Sequence, residues 1–218
     1  LLKQIIKKKP DILFVGHETA TRGLPVLLFH WFFRIPYVVL IHAGNLHLAS
    51  IVKINKVAAY TLLRNADLLL ANSKYTRQLL IEKGFQDAKI RILTPGVDTA
   101  FFSPLADKSV IGKTRAEYGV NGMPLILNVG RLVPKKNQLR IINVIARLRE
   151  QGLSVKCIIA GNGREQANLQ RHIEELGIDT QVLLIGDVSR EKVRELCRAA
   201  DIVALPSIID NNEYESFG

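Results

Sequence analysis

Short apolar runs alternate along the chain with longer amphipathic stretches, the pattern of βαβ units feeding a parallel sheet. The run at 11–16 predicts a strand, 19–33 a helix and 36–41 the next strand. A helix over 48–64, a strand over 67–71, a helix capped by Ser73 and ended by Gly84, and a strand over 90–93 complete a first series. Thr94-Pro95-Gly96-Val97-Asp98 is rich in turn residues. Ser103-Pro104, Gly112, Gly119 and Asn121 to Pro124 punctuate the chain from there to residue 124. They predict a first domain over 1–105, a linker over 106–123 and a second domain over 124–218. The alternation then restarts, with strands over 125–129, 155–160, 182–185 and 202–205. Helices fall over 138–150, around Leu169, Ile173 and Leu176, and from the Ser189 cap to Ala199. Leu139, Ile142, Ile145 and Ala146 recur on one face of the first of these. The fold class is α/β, with two successive Rossmann-like, doubly wound units.

Composition narrows the class. The 218 residues are 48% hydrophobic and 23% charged, which suits a core-forming globular chain and excludes collagen-like and low-complexity classes. The longest apolar stretch, 24–33, is about half of what a membrane span needs. Cys157 and Cys197 sit in apolar segments without CxxC spacing and read as core thiols of a reducing, cytoplasmic protein. Net charge is 30 − 20 = +10. Residues 1–107 hold 14 basic and 7 acidic side chains, and residues 108–218 hold 16 and 13. Lys3, Lys7, Lys8 and Lys9, interleaved with Leu2, Ile5 and Ile6, can form a basic amphipathic segment suited to an anionic membrane, or an ordinary surface helix.

A doubly wound sheet binds ligands at the carboxyl ends of its strands, so the residues just after each strand are the candidates. After 125–129 come Gly130, Arg131, Lys135, Lys136 and Asn137. The glycine admits close backbone approach, Asn137 can cap the next helix, and Arg131 and Lys136 bring two cations to a helix N-terminus. This suits a pyrophosphate, with Arg as a fork and Lys as a point charge. Gly161-Asn162-Gly163 reads equally as a tight turn or a ligand loop, with Gln166 where a dinucleotide fingerprint needs its third glycine. Gly186, Asp187 and Val188 follow the third strand. Pro206-Ser207 and an acidic loop ending in Glu213, Glu215, Phe217 and Gly218 follow the fourth. Cations beside an acidic loop suit one ligand carrying both phosphates and hydroxyls, such as a nucleotide sugar. In the first domain, His42 ends the strand over 36–41, where a neutral ring can donate or accept a hydrogen bond. His17 follows a strand and can line the same cleft, whereas His30 on its apolar helix reads as packed. No HExxH, CxxC or DxD occurs, so no metal site is expected.

Four collinear stretches resemble the retaining nucleotide-sugar glycosyltransferases of family 4, or group 1, which adopt the GT-B fold. They are 35–42 ending in His42, 66–73 with 94–98 and Phe102, 129–136, and 200–207 with Glu215 to Gly218. The resemblance implies catalytic roles for His42, Arg131, Lys136 and Glu215. It implies donor binding by Gly130, Arg131, Lys136, Gly186, Val188, Glu215, Phe217 and Gly218. A UDP- or GDP-linked sugar would be the donor, with no metal or cofactor. A glycan or lipid-linked sugar would be the acceptor, with peripheral contact at the inner face of the membrane and no nucleic-acid partner. The chain departs from the pattern at His42-Ala43-Gly44-Asn45, where relatives place an acid soon after HG. The second glutamate of E-x7-E would fall five positions beyond Gly218, and a first strand with its glycine-rich loop would precede Leu1. Both units therefore read as incomplete and the chain as an internal stretch, inactive alone. A sugar-nucleotide epimerase shares the fold. A dinucleotide oxidoreductase is disfavoured because its GxG would follow the first strand of a unit. A nucleic-acid module rests on charge alone.

Overall fold

The computed structural model describes residues 8, 10–16, 20–42, 53–104, 108–120 and 122–208. They form two compact units, with the division between Gly96 and Val97. In the first, β1 (Leu13–Val15), α1 (Ala20–Phe33), β2 (Tyr37–Ile41), α2 (Lys53–Asn65), β3 (Leu68–Ala71), α3 (Lys74–Glu82) and β4 (Ile90–Ile92) alternate. The strands lie parallel in the order β1-β2-β3-β4. Leu13 is level with Tyr37, Val39 with Leu69, and Leu69 with Ile90. Because strand side chains alternate, Val15, Tyr37, Val39, Ile41, Leu69, Ala71 and Ile90 share one face. They bury against Leu27, Leu62, Leu63 and Leu80 of the helices. His30 is packed as expected, with Nδ1 3.1 Å from the carbonyl of Ile35 and its ring edge-on to Tyr37.

The second unit holds α4 (Lys108–Glu117), β5 (Leu125–Val129), α5 (Gln138–Glu150), β6 (Lys156–Ala160), α6 (Gln166–Glu175), β7 (Val182–Gly186), α7 (Arg190–Ala199) and β8 (Ile202–Val203). Its sheet is parallel in the order β7-β6-β5-β8, so the direction of winding reverses between β5 and β8. Both faces are covered. Leu132, Ile142, Ile145, Ile159 and Leu169 form one core, and Leu125, Leu127, Ile158 and Leu196 the other.

Three sequence readings change. Within the stretch read as linker, 108–117 is helical and packs against α7. Gly112 stands in open space and interrupts nothing. Arg115 of this helix donates to the carbonyls of Met123 and Ala199 and pairs with Asp201 at 3.1 Å. Residues 97–104, placed by punctuation in a first domain ending at 105, lie with the second unit. Arg190 and Arg194 of α7 stack on Phe101, and Arg198 donates to the carbonyl of Ser103. Finally, Leu139 is exposed, and α5 buries Gln138, Ile141, Ile142 and Ile145 instead.

Candidate functional site

The reversal between β5 and β8 is a topological switch point, the position at which open α/β sheets accommodate ligands beyond the strand ends. Two loops flank it: 130–137 after β5, and 204–208 after β8. Side chain and backbone tie them together. Asn128 donates to the carbonyl of Ala204 at 2.7 Å, Ile208 donates its amide to the carbonyl of Lys135 at 2.8 Å, and Asn137 donates to Pro206 at 3.3 Å. Asn137 does not cap α5 with its side chain. It adopts a left-handed conformation (φ 53°, ψ 40°) after a 3-10 turn over Pro134–Lys136, and that turns its amide toward the β8 loop.

The loop after β5 is held from below by the Gly161-Asn162-Gly163 turn. A Cβ on Gly161 would stand 2.0 Å from the carbonyl oxygen of Gly130, and one on Gly163 would stand 2.2 Å from that of Leu132. No side chain fits at either place, and Gly161 also has φ +136°. Leu132 donates to Asn162 O and accepts from the Glu165 amide. The GxG is therefore explained by close backbone packing under the candidate loop. Gln138, buried at the start of α5, donates to the carbonyl of Arg131 at 3.1 Å and fixes the backbone there. The Arg131 side chain is exposed, and Lys136 folds back so that its Cε would be 3.9 Å from a Cβ on Gly130. The structure thus brings Gly130, Arg131, Lys136 and the α5 N-terminus to one strand end, with no acidic residue in the first turn of α5. Gly186 (φ +69°) is the last residue of β7, its carbonyl accepting from the Gly161 amide at 2.7 Å, and Val188 lies just beyond that strand end. Buried Asn128 Oδ1 has no hydrogen-bond partner.

In the first unit His42 follows β2. The Asn72 side chain, buried after β3, places Nδ2 3.2 Å from His42 Nδ1. Thr76 donates to Asn72 Oδ1 at 2.6 Å and lies 3.1 Å from the Ser73 hydroxyl. With the amide assigned with its nitrogen toward the ring, Nδ1 is the acceptor and a neutral ring carries its proton on Nε2. Asn72 was not singled out from the sequence as a site residue. Its signal was its place just after a strand, in the stretch 66–73. Glu215, Phe217, Gly218 and His17 lie outside the described residues, so the structure brings His42 together with Asn72, and Gly130 with Arg131 and Lys136, each within its own unit.

Two parallel α/β units whose candidate residues sit at strand carboxyl ends define the GT-B class of fold. Residues 1–101 match the family model described as Glycosyltransferase Family 4, and residues 111–218 the one described as Glycosyl transferases group 1. The chain belongs to these glycosyltransferases. It is 29% identical over 157 residues to the GDP-mannose-dependent alpha-(1-6)-phosphatidylinositol monomannoside mannosyltransferase of Mycolicibacterium smegmatis, covering 72% of this chain and 41% of that protein. It is 32% identical over 173 residues to the D-inositol 3-phosphate glycosyltransferase of Corynebacterium jeikeium, covering 75% and 40%. The chain therefore spans well under half the length of these relatives. Anabaena HepE in complex with UDP superposes with a TM-score of 0.80 at 23% identity, over 94% of this chain and 56% of that one. Sucrose-phosphate synthase from Thermosynechococcus elongatus does so at 0.74 and 19%, over 100% and 54%.

Proposed function

We propose that the protein to which this chain belongs moves a sugar, with retention, from a nucleoside-diphosphate donor to an acceptor hydroxyl on a glycan or lipid-linked sugar. The observation that carries this reading is the cationic loop of Gly130, Arg131 and Lys136 at the switch point. Loss of a diphosphate leaving group builds negative charge, and preorganised cations at that place lower the barrier. Arg131 and Lys136, with the amides opening α5, supply that charge in this reading, so no metal or cofactor is needed. Gly186 and Val188 offer backbone groups to the base, Glu215 accepts from sugar hydroxyls, and Phe217 and Gly218 border the donor. His42, with its Nε2 proton, donates to an oxygen of the donor sugar or of the reacting pair. The name of the Mycolicibacterium relative supports a lipid-linked acceptor and GDP-linked donor, and the UDP held by the Anabaena protein supports the alternative base. In this reading the work is done at the cytoplasmic face of the membrane.

The test is kinetic. In the full-length enzyme, Arg131→Ala and Lys136→Ala each lower turnover on the order of 100-fold, about 3 kcal/mol of transition-state stabilisation, with thermal unfolding little changed. Near-native turnover in both variants overturns the assignment.

A further inference from the structure

β8 pairs with β5 only as far as Leu127 level with Val203, where the Leu127 carbonyl accepts from the Ala204 amide at 2.8 Å. The next rung of a parallel ladder would run from the Val129 amide to the Ala204 carbonyl. That carbonyl is taken instead by the side chain of Asn128, whose Nδ2 lies 2.7 Å away. Two residues on, the Pro206 carbonyl accepts from Asn137 Nδ2 at 3.3 Å. Two further on, the Ile208 amide donates to the carbonyl of Lys135 at 2.8 Å. Contacts at 204, 206 and 208 keep the two-residue period of one strand edge. The segment 204–208 therefore continues the edge of β8 past Val203, with two side-chain amides standing where backbone rungs would be.

The fold itself does not call for these amides. Asn128 is 2% exposed in a strand whose other residues are apolar, and its Oδ1 is buried without a partner among the described residues. An unpaired buried oxygen weakens folding, and an apolar side chain of similar size would avoid that loss. Asn137 takes a left-handed conformation at the head of α5, where glycine would sit without strain. What the two side chains share is the hold on 204–208. The loop they hold it to is itself fixed, by Gln138 on the Arg131 carbonyl and by the close approach of Gly161 and Gly163. Arg131 and Lys136 stand on that loop, while the held segment leads in sequence to Asp210, Glu213 and Glu215. Cations suit phosphates and carboxylates suit hydroxyls, so this seam sets the spacing between the two kinds of group that a nucleotide sugar presents.

We propose that Asn128 and Asn137 are positioning residues of the donor site: their side-chain amides set the segment after β8 against the cationic loop, so that the sugar of the donor depends on them and its diphosphate does not. This rests on the donor reading above. The test uses the full-length protein and equilibrium binding of GDP, UDP, GDP-mannose and UDP-glucose, the nucleotide sugars named with its relatives. Asn128→Val suits a strand and removes the unpaired oxygen. Asn137→Gly keeps the left-handed turn and removes only the contact to Pro206. In each variant the bare nucleotide binds within about twofold of wild type, whereas the nucleotide sugar loses about 10-fold, the size of one hydrogen bond. Asn128→Val unfolds at the wild-type temperature or above it, which separates positioning from plain structural support. Equal loss of nucleotide and nucleotide sugar, no loss in either variant, or a lower unfolding temperature for Asn128→Val overturns the inference and leaves the donor reading standing. A wild type that binds neither nucleotide sugar overturns the donor reading, and the inference with it.

Discussion

At the scale of single residues, the least expected finding is the support behind His42. Asn72 fills a buried position after β3, and its amide is committed on one side to Thr76 and on the other to Nδ1 of the imidazole. The consequence is a specified tautomer, which matters because only Nε2 then carries a proton to donate. Asn72→Asp replaces the donor by an acceptor and pulls the ring proton to Nδ1. Ring nitrogen shifts by NMR then show Nδ1 changing from acceptor-like to N–H-like, which loss of packing alone would not produce. In the full-length protein, the proposed function then expects turnover to fall while nucleotide affinity is kept. Cys157 illustrates the bland side of residue reading: burial pushes its thiol up to about 12, as expected of a core position.

Among elements, one carboxylate links α4 and the approach to β8 with the start of β5. Asp201 accepts from the backbone amide of Leu125 at 2.7 Å and from Arg115 at 3.1 Å, joining the start of β5, the end of α4 and the approach to β8. The Leu125 amide, then the Arg115 side chain, hold its carboxyl below the usual Asp value. A depressed folded value means that its contribution to stability is complete above the unfolded value, about pH 4, and is lost as pH falls through the folded one. Urea midpoints therefore drop below about pH 4 in the wild type, and Asp201→Asn, already lacking the charge, flattens that part of the acid profile. The group is half exposed, so solvent screening keeps the effect modest. An unchanged acid profile in the variant would show that other carboxylates govern it.

For the whole molecule, the order of strands distinguishes the two units. The second reverses its winding between β5 and β8, whereas the described strands of the first run in chain order. A diphosphate should accordingly meet the second unit. At a nucleotide concentration about 100 times Kd, bound states gain about 2.7 kcal/mol. Amide exchange then slows at 130–140 and around 186–188, and stays as it was along β2. Protection confined to β2 and α3 would move the donor site to the first unit.

Most elements were legible because their causes are local. The alternation of apolar runs with amphipathic stretches places β2, β3, β5, α5, β6 and α7 within a residue or two of their observed ends. The Ser73 and Ser189 caps each accept from an amide three residues on, a contact written within four residues of sequence. Helix α4 was hidden because Gly112 looks like punctuation, and only Arg115 bonding across to Met123 and Ala199 shows why the segment stays ordered.

What the chain's own residues determined was the type and sequence of elements, and through the rule of strand ends the short list holding His42, Gly130, Arg131 and Lys136. Those features depend on neighbours in sequence, so periodicity and caps carry them. What only the tertiary structure decided was how distant segments meet. It placed 97–104 on α7, turned Asn137 away from its helix and toward Pro206, committed Asn72 to His42, and gave Gly161 and Gly163 their reason in the carbonyls of Gly130 and Leu132. Each of these contacts joins residues about 30 or more positions apart, across a close approach of backbones or a single hydrogen bond. Such proximity has no periodicity to announce it, because it arises from how the sheet orders its strands.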